Sequence, residues 1–399
     1  MMKNLENYKI YKKKVLFRAD LNVPVVEGII TDTSRILASK SSIKKLISKK
    51  NKIFILAHFG RPKGDIIEKL SLRFICNSLK KIFEIEKIHF LEKLDEKFIN
   101  QKIDEMQNGE VCLIENIRFQ KAEEKIDINF TKNISKLFDV YVNDAFSASH
   151  RKHMSITGFA KYIPAVAGNH LIKEIKNIDL FLKNSKKPNI AIVGGAKIST
   201  KIQLLYNLIE KFSTIAIGGA MANTFLLANN INIGQSLVEK ELINEAKNIQ
   251  SKSKELNCNI ILPVDVMCGN NLKDTQPKQF KINKIPSDLM IFDIGYTTTE
   301  IICKQILNSK MLLWNGPVGA FEYKPYDRAT TEIANTIKLN AKKLNIEALA
   351  GGGDTISSIK AVNAEDGFTY ISNAGGAFLE WLEENESPGV IALHENNFN

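Results

Sequence analysis

Residues 189–212, NIAIVGGAKISTKIQLLYNLIEKF, decide how the rest of the chain is read. Ile190, Ala191, Ile192 and Val193 form a β-type apolar run that breaks at Gly194-Gly195, after which Ile198, Ile202, Leu205 and Ile209 fall on one helical stripe. The spacing predicts a strand, a glycine turn and an amphipathic helix that begins just past the glycines. Unpaired N–H groups and the positive dipole end of such a helix favour an anion, and Lys197 and Lys201, four apart, reinforce it. Phosphate fits that end; the plainer alternative is a tight turn followed by solvated lysines. Neither Gly-x-x-x-x-Gly-Lys-Ser/Thr nor Gly-x-Gly-x-x-Gly occurs in the chain.

The same rhythm extends in both directions. Upstream, Val15–Ala19 runs into Asp20-Leu21-Asn22, Ile53–Ala57 into His58-Phe59-Gly60-Arg61, Val111–Ile114 into Glu115-Asn116-Ile117-Arg118, and Asp139–Val142 into Asn143-Asp144, with His150-Arg151 beyond. A helix is expected over 32–50, with Arg35 in its first turn, where a cation opposes the dipole unless an anion docks there. Downstream, apolar runs at 214–217, 259–264, 289–292, 311–314, 347–350 and 369–371 lead into Gly218-Gly219-Ala220, Asp265, Asp293-Ile294-Gly295, Asn315-Gly316, Gly351-Gly352-Gly353-Asp354-Thr355 and Ser372 to Gly376. Strand, polar loop and helix in alternation predict an α/β protein of doubly wound, parallel, Rossmann-like sheets.

A chain of 399 residues exceeds one compact core. Two domains are expected, joined by a helix over 168–187. The composition, 44% hydrophobic and 25% charged, is that of a globular protein with a sizeable core. Its net charge of +11 is scattered over helix positions such as Lys44, Lys45, Lys49 and Lys50 rather than gathered in a stripe, which argues against nucleic acid as partner while still attracting small anions. Cys76, Cys112, Cys258, Cys268 and Cys303 form no Cys-x-x-Cys pair and are expected to be reduced. Residues 1–14 are polar, and no apolar run approaches the roughly 18 residues of a membrane span. A cytoplasmic monomer without membrane contact is expected.

Ligands of open α/β sheets bind beyond the carboxyl ends of the strands. In the first half those ends carry Asp20, Asn22, His58, Arg61, Arg118 and Arg151, with Arg35 nearby, and guanidinium forks match phosphate and carboxylate. A small, multiply anionic molecule is implied. In the second half nearly every strand ends in glycine, which lets backbone approach a ligand, and the side chains present are few: Lys197, Lys201, Asn315, Glu322, Asp354 and Thr355. Asp354 is a candidate for Mg²⁺ on a polyphosphate, or else a helix N-cap. His150 and His153 have metal-like spacing but lack a third ligand and flank two cations.

Seven motifs, in order, carry a resemblance: Arg18-Ala19-Asp20-Leu21-Asn22-Val23-Pro24, His58-Phe59-Gly60-Arg61-Pro62, Glu115-Asn116-Ile117-Arg118-Phe119, Asn143-Asp144-Ala145-Phe146 with His150-Arg151, Gly194-Gly195-Ala196-Lys197, Trp314-Asn315-Gly316-Pro317-Val318-Gly319 and Gly351-Gly352-Gly353-Asp354-Thr355. With them the chain resembles the phosphoglycerate kinases over nearly its whole length. The resemblance implies a two-lobed enzyme with a cleft between its domains. It would move a phosphoryl group reversibly between ATP and the carboxylate of 3-phosphoglycerate, giving ADP and 1,3-bisphosphoglycerate. It further implies a triose-phosphate domain at 1–167, the connecting helix at 168–187, a nucleotide domain at 188–371, and a tail at 372–399 returning towards the first domain.

Carried over by motif, Asp20, Leu21, Asn22, Arg35, His58, Phe59, Gly60, Arg61, Arg118 and Arg151 would hold the triose phosphate. Gly195, Lys197, Lys201, Gly218, Gly219, Gly295, Asn315, Glu322, Gly352, Gly353, Asp354 and Thr355 would hold the nucleotide, with Asp354 on Mg²⁺. Arg35, Lys197 and the Gly375-Gly376 helix end would act on the transferring group. Four departures stand out: Ser147 where the family usually has Gly, Ala220 ending a glycine run, Tyr296 in place of Pro, and Asn373-Ala374 in place of Thr-Gly. The rival classes are a nicotinamide-dependent dehydrogenase, which lacks its glycine fingerprint here, and a nucleic-acid-binding protein, which lacks a basic, aromatic-rich face.

Overall fold

The structure is a computed structural model that describes residues 2–183, 185–384 and 386–398. The chain divides into two compact units, Met1–Lys176 with Glu384–Asn399, and Asn177–Glu383.

The first unit is built on a six-stranded parallel sheet of β1 (Lys14–Arg18), β2 (Lys52–Leu56), β3 (Ile88–Leu91), β4 (Val111–Ile114), β5 (Val140–Asn143) and β6 (Ala165–Ala167), in the order β3-β4-β2-β1-β5-β6. Strands such as VCLI, and the VLF centre of KVLFR, are buried on both faces, as parallel strands covered by helices must be, so they read as apolar runs. From β1 the chain winds outward to one side through β2, then returns to the other side at β5, so the topological switch lies between β1 and β5. Register places Arg18 level with Leu56 on β2 and with Asn143 on β5, which gathers the loops after the three strands. Helix α1 (Ser34–Ser48) buries Ile36, Ile43 and Leu46 in a core shared with Val15, Phe17, Ile53, Ile55 and Val142. Burying each such side chain contributes on the order of 2 kcal/mol. The boundary between the units falls inside α2 (Asn169–Lys183).

In the second unit β7 (Asn189–Val193), β8 (Thr214–Ile217), β9 (Asn259–Ile261), β13 (Met311–Asn315), β14 (Glu347–Gly351) and β15 (Tyr370–Ser372) form a parallel sheet in the order β9-β8-β7-β13-β14-β15. Here the switch lies between β7 and β13, and pairing of Val193 with Asn315 brings the Gly194 and Gly316 loops together. This unit's helices include α3 (Ile202–Lys211), α4 (Met221–Ala228), α5 (Tyr296–Leu307), α6 (Arg328–Asn340), α7 (Gly353–Ala361) and α8 (Gly376–Glu384), besides a helix over Ile243–Glu255. A final helix, α9 (Pro388–His394), belongs to the first unit, where Gly389 N–H donates to Ser149 O at 2.8 Å.

The expected fold class holds, with two local corrections. The run at 259–264 is interrupted before Pro263, whose missing N–H cannot serve a ladder. The chain continues instead as β10 (Asp265–Gly269), which pairs antiparallel with β11 (Lys278–Lys281) and with β12 (Met290–Ile294) in a separate three-stranded sheet. The run at 289–292 is thus a strand, though not of the parallel sheet. The second correction concerns the helix after Gly194-Gly195. It begins at Ile202, and residues 196–201 form turns in which Ile198 is buried.

Candidate active site

In the first unit Asp20 follows β1 and takes a hydrogen bond from Arg35 Nη1 at 2.7 Å. It accepts a second from Ser147 Oγ and a third from Asn22 N–H at 3.1 Å. Burial alone would raise its pKa, but the charges of Arg35 and His58 and the bonds from Ser147 and Asn22 outweigh it and lower the carboxyl to about 2. Ser147, one of the departures, therefore supplies a donor that glycine lacks.

The loops after β1, β2 and β4 are tied to one another. Asn22 Oδ1 accepts Gly60 N–H at 3.0 Å, and Arg118 Nη1 donates to Gly60 O at 2.5 Å. Asn116, absent from the predicted set, accepts from Phe59 N–H at 3.2 Å and donates to Phe59 O at 2.7 Å and Leu70 O at 3.0 Å. Its place in Glu115-Asn116-Ile117-Arg118, straight after a strand, was the available signal.

These loops concentrate positive charge. Arg118 is buried, its Nε has no hydrogen-bond partner among the described residues, and burial together with Arg151 and Arg18 lowers its pKa to about 10. Burial and the Arg18, Arg118 and Arg151 cations push His58 well below its ordinary value, against the pull of Asp20, so its ring is neutral at pH 7. Arg151 is half-buried and Arg61 exposed. Leu21 is fully buried, whereas Phe59 is half-buried and packs at a tilt against Phe74 with ring centroids 5.2 Å apart. Guanidinium groups held in surroundings that penalise their charge favour an anionic ligand.

In the second unit a cavity of about 470 Å³ is lined by Gly195, Gly219, Ala220, Pro317, Glu322 and Asp354 among others. Beside it the Gly194, Gly218 and Gly316 backbones come into close approach with the neighbouring loops. Gly316 has φ +98, and a side chain at Gly194 would run into the Pro317 carbonyl, so both positions need glycine. Gly218 N–H donates to Val193 O at 3.0 Å, and Gly219 N–H to Val318 O at 2.7 Å. Ala220 sits at the N-cap of α4 with φ −65, a conformation that requires no glycine, so this departure leaves the turn intact. Tyr296 stacks its ring on the Arg328 guanidinium, 4.0 Å away. Gly295 caps α5 beside the Asp265 carboxylate.

Lys201 and Lys197 differ sharply. Lys201 Nζ is buried and donates to Gly194 O at 2.5 Å, Asn315 O at 3.0 Å and Asn315 Oδ1 at 2.6 Å, so its three donors are engaged. Burial lowers its pKa to about 8, against the pull of Asp354. Lys197 is exposed in the turn before α3. Asn315 also donates to Gly351 O at 2.7 Å, and Thr355 Oγ1 accepts Gly316 N–H at 2.7 Å, which joins the β13 and β14 loops.

Asp354 lies in the first turn of α7, exposed, while the N-cap position is Gly352 with φ +99. The N-cap alternative for Asp354 is thereby removed. No cluster of three His, Cys, Asp or Glu side chains suited to a metal occurs among the described residues. One carboxylate beside a phosphate site fits Mg²⁺, which takes few protein ligands and completes its shell with phosphate and water. Gly353, Gly375 and Gly376 leave open space where a side chain would stand, so the starts of α7 and α8 are accessible.

The family model described as phosphoglycerate kinase matches residues 5–385. The chain belongs to the phosphoglycerate kinase family. It is 42% identical over 394 residues to the phosphoglycerate kinase of Brucella melitensis, covering 98% of this chain and 99% of that one. It is 43% identical over 387 residues to that of Rhizobium meliloti, with 96% of each covered. The solved phosphoglycerate kinase of Coxiella burnetii superposes with a TM-score of 0.87 at 34% identity, covering 99% of both chains. That of Pyrococcus horikoshii superposes with a TM-score of 0.82 at 27% identity, covering 98% of both. The two arrays of strand-end loops thus belong to a phosphoglycerate kinase fold, and the exchange of a phosphoryl group between ATP and 3-phosphoglycerate, expected from the motifs, is the reaction of this family.

Proposed function

We propose that the chain performs this reaction with the triose phosphate on the arginine loops of the first unit and ATP or ADP on the glycine loops of the second. The observation that carries it is the buried Arg118 guanidinium, whose unpaired Nε and depressed pKa call for an anion among Arg18, His58 and Arg151. Asp20, Leu21, Asn22, Arg35, His58, Phe59, Gly60, Arg61, Arg118 and Arg151 form the acceptor site. Gly195, Lys197, Lys201, Gly218, Gly219, Gly295, Asn315, Glu322 and Gly352 to Thr355 form the nucleotide site. The working division of the chain is 1–167, 168–187, 188–371 and 372–399.

In the forward step a carboxylate oxygen of 3-phosphoglycerate attacks the γ-phosphorus of ATP in line, forming one P–O bond as the bond to the bridging oxygen breaks and ADP leaves. The substrate supplies the nucleophile, so the protein's task is positioning and cancelling charge on the transferring group. Arg35 and Lys197 do this, with the N–H groups at Gly375-Gly376. Asp354 would hold Mg²⁺, which when bound adds positive charge to the polyphosphate. The chain acts as a monomer on these small molecules, in the cytoplasm, without nucleic acid. Five free cysteines suit a reducing setting, and among the described residues no helix is long and apolar enough to cross a membrane.

The test is turnover of 3-phosphoglycerate with MgATP, coupled to a dehydrogenase that consumes 1,3-bisphosphoglycerate. Activity that is lost on Arg35→Ala supports the assignment. Folded protein that binds MgATP and turns nothing over leaves the nucleotide site standing and refutes the acceptor.

A further inference from the structure

Behind the arginine loops runs a chain of buried polar contacts that the transfer step does not use. Arg18, the last residue of β1, is 1% exposed. Its Nε donates to Ser155 Oγ at 2.9 Å, its Nη1 to Ala19 O, and its Nη2 meets His58 Nδ1 at 3.1 Å. Ser155 in turn meets Glu123, its Oγ 2.7 Å from Oε1 and its N–H 2.9 Å from Oε2. Glu123 is fully buried, and His153 Nδ1 lies 3.6 Å from its Oε1.

The direction of every bond in this chain follows from the groups themselves. A carboxylate only accepts, so the single Ser155 proton points to Glu123 and a lone pair faces Arg18. A guanidinium only donates, so His58 Nδ1 must accept. The neutral ring then carries its proton on Nε2. Without the clamp, a neutral imidazole could place that proton on either nitrogen. The buried Glu123 carboxylate also offsets the Arg18 charge, which otherwise adds to those of Arg118 and Arg151 around His58.

We propose that Glu123 and Ser155 are positioning residues that act through Arg18 to hold His58 as an Nε2–H donor towards the anionic groups of the triose phosphate. Their role depends on His58 touching that substrate, as proposed above.

The test is carried out on the full chain with Ser155→Ala and Glu123→Gln. The ¹⁵N spectrum of His58, assigned by its disappearance in His58→Ala, reports which nitrogen is protonated, and steady-state kinetics report KM for each substrate. Loss of the single Nε2–H form, with KM for 3-phosphoglycerate raised about tenfold and KM for MgATP unchanged, is the expected result. A merely structural role would not select the imidazole tautomer or spare the nucleotide. If Glu123→Gln does not fold, Ser155→Ala carries the test alone. An unchanged His58 spectrum overturns the proposal. So does a changed spectrum with unchanged KM for 3-phosphoglycerate, and His58→Ala then locates the fault: unaffected KM there refutes the substrate contact, and raised KM refutes only the positioning.

Discussion

Arg35 Nη1 and Asp20 Oδ2 lie 2.7 Å apart, and the carboxylate is far more buried than the guanidinium, with side-chain exposures of 7% and 29%. Asp20 is therefore the fixed partner that aims a half-exposed cation. Its pKa near 2, below the ordinary 3.8, means that the folded state prefers the ionised form. The resulting stability is present in full above pH 4 and is lost as pH falls from about 4 through 2; its size is about 2 kcal/mol. Asp20→Asn should lower the urea midpoint at pH 7, with the gap to the parent narrowing when the titration is repeated from pH 4 downward. A gap independent of pH would show that the carboxylate charge is not what stabilises the site.

Arg35→Ala and Lys197→Ala should each lower kcat by on the order of 10²-fold or more, the scale of losing one electrostatic contact to a transition state. Arg35→Lys should recover little, because an ammonium cannot serve Asp20 and a ligand through a planar fork. Steady-state kinetics at saturating substrates decide this, and near-normal kcat in either alanine variant removes that residue from the chemistry.

Much of the fold was legible because parallel strands buried on both faces leave apolar runs such as Ile190–Val193, and the glycines at their ends mark where the backbone must approach a ligand. What stayed hidden has physical causes. Ile198 falls on the helical stripe, yet it is buried from a turn, so periodicity placed the start of α3 too early. Four apolar residues at 289–292 announce a strand without naming its partner, which proved antiparallel. In the proposed acceptor site the charged residues were readable singly at strand ends. Their partners were not, since Ser147 reaches Asp20 across 127 residues and Arg18 reaches Ser155 across 137. Arg18 did leave a trace, as a buried charge closing a strand whose centre is apolar.

Lys201 should impose an alkaline limit on nucleotide use. Its pKa near 8, lowered by burial from an ordinary 10.5, leaves the unfolded chain holding the extra proton between those values. The contribution of this group to stability therefore rises with pH across that range, while any function of its ammonium declines. We expect kcat/KM for MgATP, which reports the free enzyme, to fall above about pH 8. Lys201→Arg, which stays charged, should abolish that limb even if its activity is low. A limb that persists in Lys201→Arg belongs to another group.

Asp354→Asn should raise the Mg²⁺ concentration needed for half-maximal rate by roughly tenfold while leaving 3-phosphoglycerate binding unchanged by calorimetry. The expectation follows from its exposed place in the first turn of α7, where Gly352 already holds the N-cap position and the carboxylate has no capping duty. An unaltered Mg²⁺ requirement would remove Asp354 from the metal site.

The proposed acceptor and nucleotide residues belong to different units, Met1–Lys176 with Glu384–Asn399 and Asn177–Glu383. In-line transfer brings the reacting atoms to roughly 3–3.5 Å and needs water kept from the γ-phosphate. Small-angle scattering should therefore show a smaller radius of gyration with 3-phosphoglycerate and a non-hydrolysable MgATP analogue together than with either one. The chain crosses between units inside α2, so a proline in that helix, as in Ile178→Pro, should weaken the coupling by breaking a backbone hydrogen bond near the crossing. Both ligands would then bind singly with near-parent affinity while kcat falls. Equal radii in all four ligation states would rule out closure as the way the units meet.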